Sequence, residues 1–300
     1  MNSLSRTMAR GELGGIACAI GFTVLMWASA FPAIRVALVS FAPGELAFLR
    51  FAIASAALGA YLVVQRPSLP RGRELLRVGA AGALGISMYN LALNEGEMLI
   101  NAGTASFLMS VGPVFAALLG VLSSGERMTR TGVGGVALSF IGVEVIAVFG
   151  TGHFVFNKGA ALVLLAALCQ AMQFVIQKPL SQRYNALAIT ACVIWAGTLC
   201  LLPFAPDSLA ALPKASRASL FALLFLALGP AAAAYMTWSY AMSHYPVSRV
   251  VSFLYLIPPL SLLVSFIFLG ERPAVMTLAG GALALAGVVA VNRRPLATSR

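Results

Sequence analysis

Charged side chains make up 10% of this 300-residue chain, against roughly a quarter in a soluble domain. Their place is taken by apolar residues, 60% of the total, with a mean hydropathy of +0.92. A water-soluble core cannot absorb that excess, so lipid must be the solvent for most of the chain. Histidine occurs twice, as His153 and His244, and both positions read as loops on opposite sides of a membrane. HExxH, GxSxG and paired-aspartate metal motifs are missing, which argues against a membrane enzyme. The four cysteines, Cys18, Cys169, Cys192 and Cys200, lie singly inside apolar stretches. With no CxxC pair and no Cys/His cluster, neither zinc nor a disulfide scaffold is expected, and no cofactor is implied.

Acids are scarcer than bases, 9 against 20, for a net charge of +11. A basic surplus can mark a nucleic-acid binder. Here the basic residues fall in short runs between apolar segments, which is a topology signal instead, and the expected surroundings are a lipid bilayer and no nucleic acid.

Apolar stretches long enough to cross a bilayer cover approximately 13–39, 44–64, 75–94, 101–122, 131–149, 158–177, 186–204, 218–240, 246–268 and 274–292. The expected fold is an all-α polytopic membrane protein with ten transmembrane helices. If the N-terminus is cytoplasmic, 14 basic residues fall inside and four, Lys158, Lys214, Arg217 and Arg272, fall outside. By the positive-inside rule both termini are placed in the cytoplasm of a bacterial-type plasma (inner) membrane. Ala28-Ser29-Ala30 after Arg6 and Arg10 resembles a signal-peptide cleavage site, but the apolar run continues to Val39, so the first span is expected to be retained.

The chain is written twice. "GPVFAALLGVLSSGER" from Gly112 aligns without a gap on "IPPLSLLVSFIFLGER" from Ile257, at a shift of 145 residues, with Pro113 on Pro258 and Glu126 on Glu271. At the same shift Gly135 falls on Gly280 and Gly142 on Gly287, spaced to share one helix face and permit close helix contact. Each copy holds five spans, an odd number, so the second enters the membrane from the opposite side. This is an inverted-topology repeat, found in transporters whose site lies between the halves. The first five-helix repeat covers 13–149 and the second, inverted, covers 158–292. The Gly-Glu-Arg unit itself reads as helix termination at the lipid headgroups.

With "LMWASAFPAIRVAL", "ELAFLRFAIASAAL" and the two Pro…Gly-Glu-Arg units, nearly the whole chain resembles the drug/metabolite transporter superfamily, in particular its EamA-type members. It is similar to bacterial exporters of amino acids, aromatic ones included, and of related metabolites. The resemblance implies a cavity lined by the first, third and fourth helices of each half.

Those spans carry polar and aromatic residues. Gln170, Gln173 and Gln177 share one face of the sixth span, and a stripe of amides toward lipid would be costly. Candidate substrate contacts are Trp27, Tyr89, Asn90, Phe107, Ser110, Gln170, Gln173, Tyr235, Trp238 and Tyr255, with Asn94, Thr237 and Ser252 on the same spans. Each could equally bond or pack between helices. Arg50 and Glu144 are intramembrane ionisable groups that could serve ion coupling, gating or helix pairing. Pro113 and Pro258 are expected to interrupt helix ladders and act as hinges.

No Lys/Arg cluster lies at mid-depth for a phosphate dianion, and the first span has no acid of the kind that the superfamily's small multidrug exporters use to bind cations. What remains suits small neutral or zwitterionic metabolites, above all amino acids with apolar or aromatic side chains, exported by alternating access. A passive channel on the same fold, or an exporter of amphipathic drugs or organic cations, are the alternatives. The expected working form is a monomer or homodimer with a small-molecule substrate.

Overall fold

The structure, a computed structural model, describes residues 3–124, 130–149, 157–244 and 253–292. Gly125, Glu126, Arg127, His153, Arg249, Ser252 and the C-terminal arginines lie outside the described residues.

Long apolar runs without strand-like alternation fold as helices, and no strand occurs among the described residues. The first half runs α1 (Ser3–Ala37), α2 (Pro43–Gln65), α3 (Glu74–Gly82), α4 (Tyr89–Leu99), α5 (Ala102–Met109), α6 (Gly112–Ser124) and α7 (Arg130–Phe149). The second runs α8 (Lys158–Ser181), α9 (Ala186–Cys200), α10 (Ala205–Ala211), α11 (Arg217–Leu228), α12 (Ala234–His244), α13 (Ile257–Leu269) and α14 (Val275–Asn292). Among the described residues six helices are long and apolar enough to cross a membrane, seven if α9 and the segment to Lys214, bent by 52°, form one span. Three shorter apolar helices, Thr131–Ile146, Phe253–Leu269 and Val275–Ala290, accompany them. These helices, long and short, carry large apolar side chains on their outer faces, among them Val63, Val64, Phe221, Ile267 and Phe268, all exposed.

Three details depart from the sequence expectation. The third span does not stop at Asn94 but continues to Leu99, carrying Glu97 into the helix. The stretch left between the expected spans 186–204 and 218–240 is not a bare loop but contains α10, whose buried Ser208 hydroxyl donates to the Phe204 carbonyl at 2.6 Å. The prolines do not kink continuous helices. Pro113 is the second residue of α6, after a turn at Ser110–Val111, and Pro258 is the second residue of α13, after the 3₁₀ turn Phe253–Leu256. A helix's first turn has no use for the missing N–H, so proline starts a helix more readily than it bends one.

Helix packing across the halves is reciprocal. α1 packs on α11, α12 and α13, while α8 packs on α3, α4, α5 and α6; α2 meets α9, and α7 meets α14. Each first helix thus meets the third and fourth segments of the other half, and second and fifth helices meet their own counterparts. That is the pattern of a pseudo-twofold axis. The repeated glycines make the α7–α14 seam: a Cβ on Gly142 would overlap the backbone of Gly280 and Ala284, and one on Gly287 would overlap that of Gly135 and Ser139.

A second feature obeys the same shift. The chain between α3 and α4, Ala83–Met88, is π-helical, and so is Gly229–Ala233 between α11 and α12. Adding 145 to Leu84–Met88 gives the second segment, so both third helices carry a widened turn at the same place.

Candidate functional site

The two π turns position the residues near the axis. Beside the second, the Trp27 indole Nε1 donates to the Pro230 carbonyl at 3.1 Å, and its ring meets Tyr235 edge-on at 5.6 Å and Trp238 at 5.2 Å. One turn away along α1, the Thr23 and Thr237 hydroxyls lie 2.7 Å apart. Beside the first π turn, the buried Gln173 side chain occupies the space that a Cβ on Gly85 would need, and its Nε2 donates to Gln177 Oε1 at 3.2 Å. Gly85 and Pro230 correspond under the 145-residue shift, and each π turn is met by a side chain from the first helix of the other half, Gln173 at one and Trp27 at the other. Gln170 lies against Gly112, at the start of α6.

A third group joins these two. Arg50, on α2, is buried, with Phe51 5.1 Å under its guanidinium. Its Nη1 reaches Asn90 Oδ1 at 3.4 Å, and its Nε has no hydrogen-bond partner. Asn90 in turn donates to the Ile86 carbonyl at 2.7 Å, inside the first π turn. The Tyr89 and Tyr235 hydroxyls and the Glu97 carboxylate lie within electrostatic reach of Arg50. Asn90 and Tyr235 are themselves repeat counterparts, so two sequence-selected residues face the same arginine from opposite halves.

Trp27, Tyr235 and Trp238 therefore form one cluster, and Tyr89, Asn90 and Arg50 adjoin it through Tyr235. Other sequence-selected residues lie elsewhere. Phe107 is buried against Gly281 of α14. The Ser110 hydroxyl bonds the Phe107 carbonyl at 2.6 Å, closing the break between α5 and α6. Tyr255 packs on the main core from the 3₁₀ turn before α13. Glu144 is exposed on α7. Asn94 anchors the start of α2, donating to the Pro43 carbonyl at 2.9 Å.

Sequence reasoning did not find the cluster at the end of the bundle where α1 stops. Arg35 Nε lies 3.4 Å from Glu271 Oε1, and its Nη1 donates to the Glu97 backbone carbonyl. Glu271 Oε2 accepts from the Ala102 amide at 3.1 Å, at the N-terminus of α5. A carboxylate there satisfies an orphan N–H and complements the helix dipole. This clasp joins α1, α4 and α5 to the end of α13, and Gly103 sits against Leu262 just beneath it. A cavity of about 390 Å³ lies beside the clasp, lined by Arg35, Asn101, Thr104, Asn157 and Arg272 among others. Glu97 itself is fully buried, and neither carboxylate oxygen has a hydrogen-bond partner. The second Gly-Glu-Arg unit thus ends its helix as expected, with Gly270 at φ 66°, and also spans the halves.

At the opposite end, Glu74 accepts from Arg183 at 3.1 Å and from the Tyr184 hydroxyl at 2.6 Å. The hydrogen bond that the Tyr184 phenol donates to Glu74 holds it above its ordinary pKa, because ionisation would lose that bond, and burial and the neighbouring negative charge act in the same direction.

Membrane-length helices, folded in two reciprocal halves around an aromatic and polar centre, define a membrane transporter. The chain belongs to the EamA-like transporter family, whose model matches residues 14–148 and again 157–293. It is 40% identical to a probable terminal-alkyne amino-acid exporter of Streptantibioticus cattleyicolor over 94% of this chain and 95% of the relative. It is 34% identical to the uncharacterized transporter YdfC of Bacillus subtilis, over 88% of this chain and 86% of that one. A probable amino-acid metabolite efflux pump of Salmonella typhimurium is 28% identical over 88% and 90%. A solved crystal structure with 19% identity superposes with a TM-score of 0.64 over 95% of this chain and 99% of its own, showing the same fold.

Proposed function

We propose that this transporter exports small zwitterionic or neutral metabolites, foremost amino acids with apolar or aromatic side chains, by alternating access. The observation that carries the reading is the aromatic cluster of Trp27, Tyr235 and Trp238, contributed by both halves beside the second π turn. Indole and phenol rings offer apolar faces to a substrate side chain, while their N–H and O–H groups fix orientation. Relatives named for amino-acid export support the substrate class.

In this reading the repeats are the two five-helix units at 13–149 and 158–292, and the basic loops lie in the cytoplasm with both termini. The Arg35–Glu271 clasp then closes the outer side, and its opening is the outward step of the cycle. Flux from proteoliposomes loaded with a panel of labelled amino acids tests the proposal. Saturable export of phenylalanine, leucine or their analogues, stimulated by substrate on the far side, is the expected result. Flux confined to organic cations or phosphate esters would overturn the substrate class, and non-saturable flux would overturn the carrier mechanism.

A further inference from the structure

Arg50 is a cation that the fold buries and then leaves incompletely bonded. Its relative exposure is 8%. A guanidinium carries five N–H donors and cannot shed its charge, so a structural arginine at this depth needs its donors filled. Here Nη1 reaches a neutral amide at 3.4 Å, near the limit for a hydrogen bond, and Nε donates to nothing. The Phe51 ring covers one face of the guanidinium, which orients the plane but occupies none of its N–H groups. No carboxylate lies within ion-pair distance of Arg50 among the described residues, whose ion pairs are Arg35–Glu271 and Arg183–Glu74. Glu97 is in electrostatic reach only. What the group has nearby is two phenols, Tyr89 from the first half and Tyr235 from the second, both able to donate to an oxyanion.

We propose that Arg50 anchors a single carboxylate of the transported molecule, which it holds with Tyr89 and Tyr235 beside the Trp27–Trp238 cluster. The planar fork matches a carboxylate edge to edge, and one guanidinium balances one negative charge. A phosphate dianion would call for a second cation beside the first. Because Tyr89 and Tyr235 belong to different halves, the bound carboxylate would tie the halves together at the centre of the bundle. The inference rests on the exporter reading and adds the chemical group by which the substrate is recognised.

The test is ligand binding to purified protein in detergent, using L-phenylalanine, L-leucine, their amides, phenylpyruvate and phenethylamine. Wild-type protein is expected to bind the amino acids about 10- to 100-fold tighter than the matching amides, the range for charge-assisted hydrogen bonds. Arg50→Gln should lower amino-acid binding to the level of the amide and erase that preference. Equal wild-type binding of acid and amide, or an undiminished preference in folded Arg50→Gln, overturns the proposal. Should Arg50→Gln aggregate on gel filtration, Asn90→Asp takes its place. This near-isosteric change sets a protein carboxylate against Arg50 and should weaken binding of the amino acids more than that of their amides; an undiminished preference for the acids would overturn the anchor. If phenylpyruvate binds and no amino acid does, the amino-acid reading fails while the anchor stands. If phenethylamine alone binds, both fail.

Discussion

The Ser139 hydroxyl donates to the Ala284 carbonyl at 3.2 Å, and the two residues stand 145 positions apart in the chain. Each is the other's counterpart in the repeat, so the bond lies on the pseudo-twofold relation between α7 and α14. Counterparts can touch only where an axis passes between them. The glycines that flank this bond set how close the helices come. Gly142→Ala would push a methyl into the backbone of Ala284, which cannot yield as a side chain would. A loss of about 1–3 kcal/mol is expected, read as a lower melting temperature in detergent. Gly134→Ala, on the same helix with open space at its Cβ, should melt like wild type. Equal melting of the two variants would contradict the seam.

Trp27 meets Pro230 and Gln173 meets Gly85, each from the first helix of the opposite half, with different chemistry. Trp27→Ala is expected to reduce amino-acid export at least about tenfold, through loss of a stacking surface with both neighbours. Trp27→Phe keeps a ring and loses only the bond to the Pro230 carbonyl, so it should retain intermediate flux. Gln173→Ala should slow export while leaving gel-filtration behaviour unchanged. Wild-type flux from Trp27→Ala would return the cluster to packing alone.

The Arg35–Glu271 clasp is only partly buried, with side-chain exposures of 35% and 16%, so solvent screens it. Its second bond, to the Ala102 amide, adds a helix-terminus interaction. Arg35→Gln is expected to weaken closure by roughly 1–2 kcal/mol, a five- to thirtyfold shift toward the open form. Spin labels at Leu99 and Phe268, both exposed at that end, should then report a larger share of long distances. Ala105 and Ser265, on neighbouring turns, are buried and would not tolerate a label. An unchanged distance distribution in a transport-active variant would dismiss the clasp as a gate.

Orientation can be read separately. In a background lacking the exposed Cys18 and Cys200, Asp207→Cys on α10 should react with an impermeant thiol reagent in intact cells. Arg71→Cys, exposed between α2 and α3, should stay protected until the membrane is opened. The reverse pattern would invert the assignment of sides.

Much of this architecture is legible in the amino-acid order. Apolar length marks the helices, and the gapless 145-residue repeat marks the axis, because both are properties of extended stretches. Trp27, Asn90 and Tyr235 stand out in the sequence as polar or aromatic residues on cavity-lining spans, and Arg50 as a charge inside the second span, but their proximity is a property of the fold. Glu97 is hidden from a hydropathy reading because the apolar run fades at Asn94 and Glu95, whereas the helix continues to Leu99. The Arg35–Glu271 pair joins residues 236 positions apart with no shared motif, so only the fold reveals it. A π turn adds one residue to a helix without changing its composition, which hides it from any reading of periodicity.

Those two π turns also bear on descent. A widened turn is a local irregularity that a helix acquires by a single-residue insertion and keeps at functional places. Finding one in Ala83–Met88 and another at the matching place in Gly229–Ala233 makes a single origin simpler than two separate insertions. The irregularity is then older than the duplication, and the ancestral five-helix chain already carried it. Such a chain would have had to meet an inverted copy of itself, with identical residues at both turns. At present Gln173 meets a glycine at one turn and Trp27 a proline carbonyl at the other, so fusion left each turn free to acquire its own partner from the opposite half.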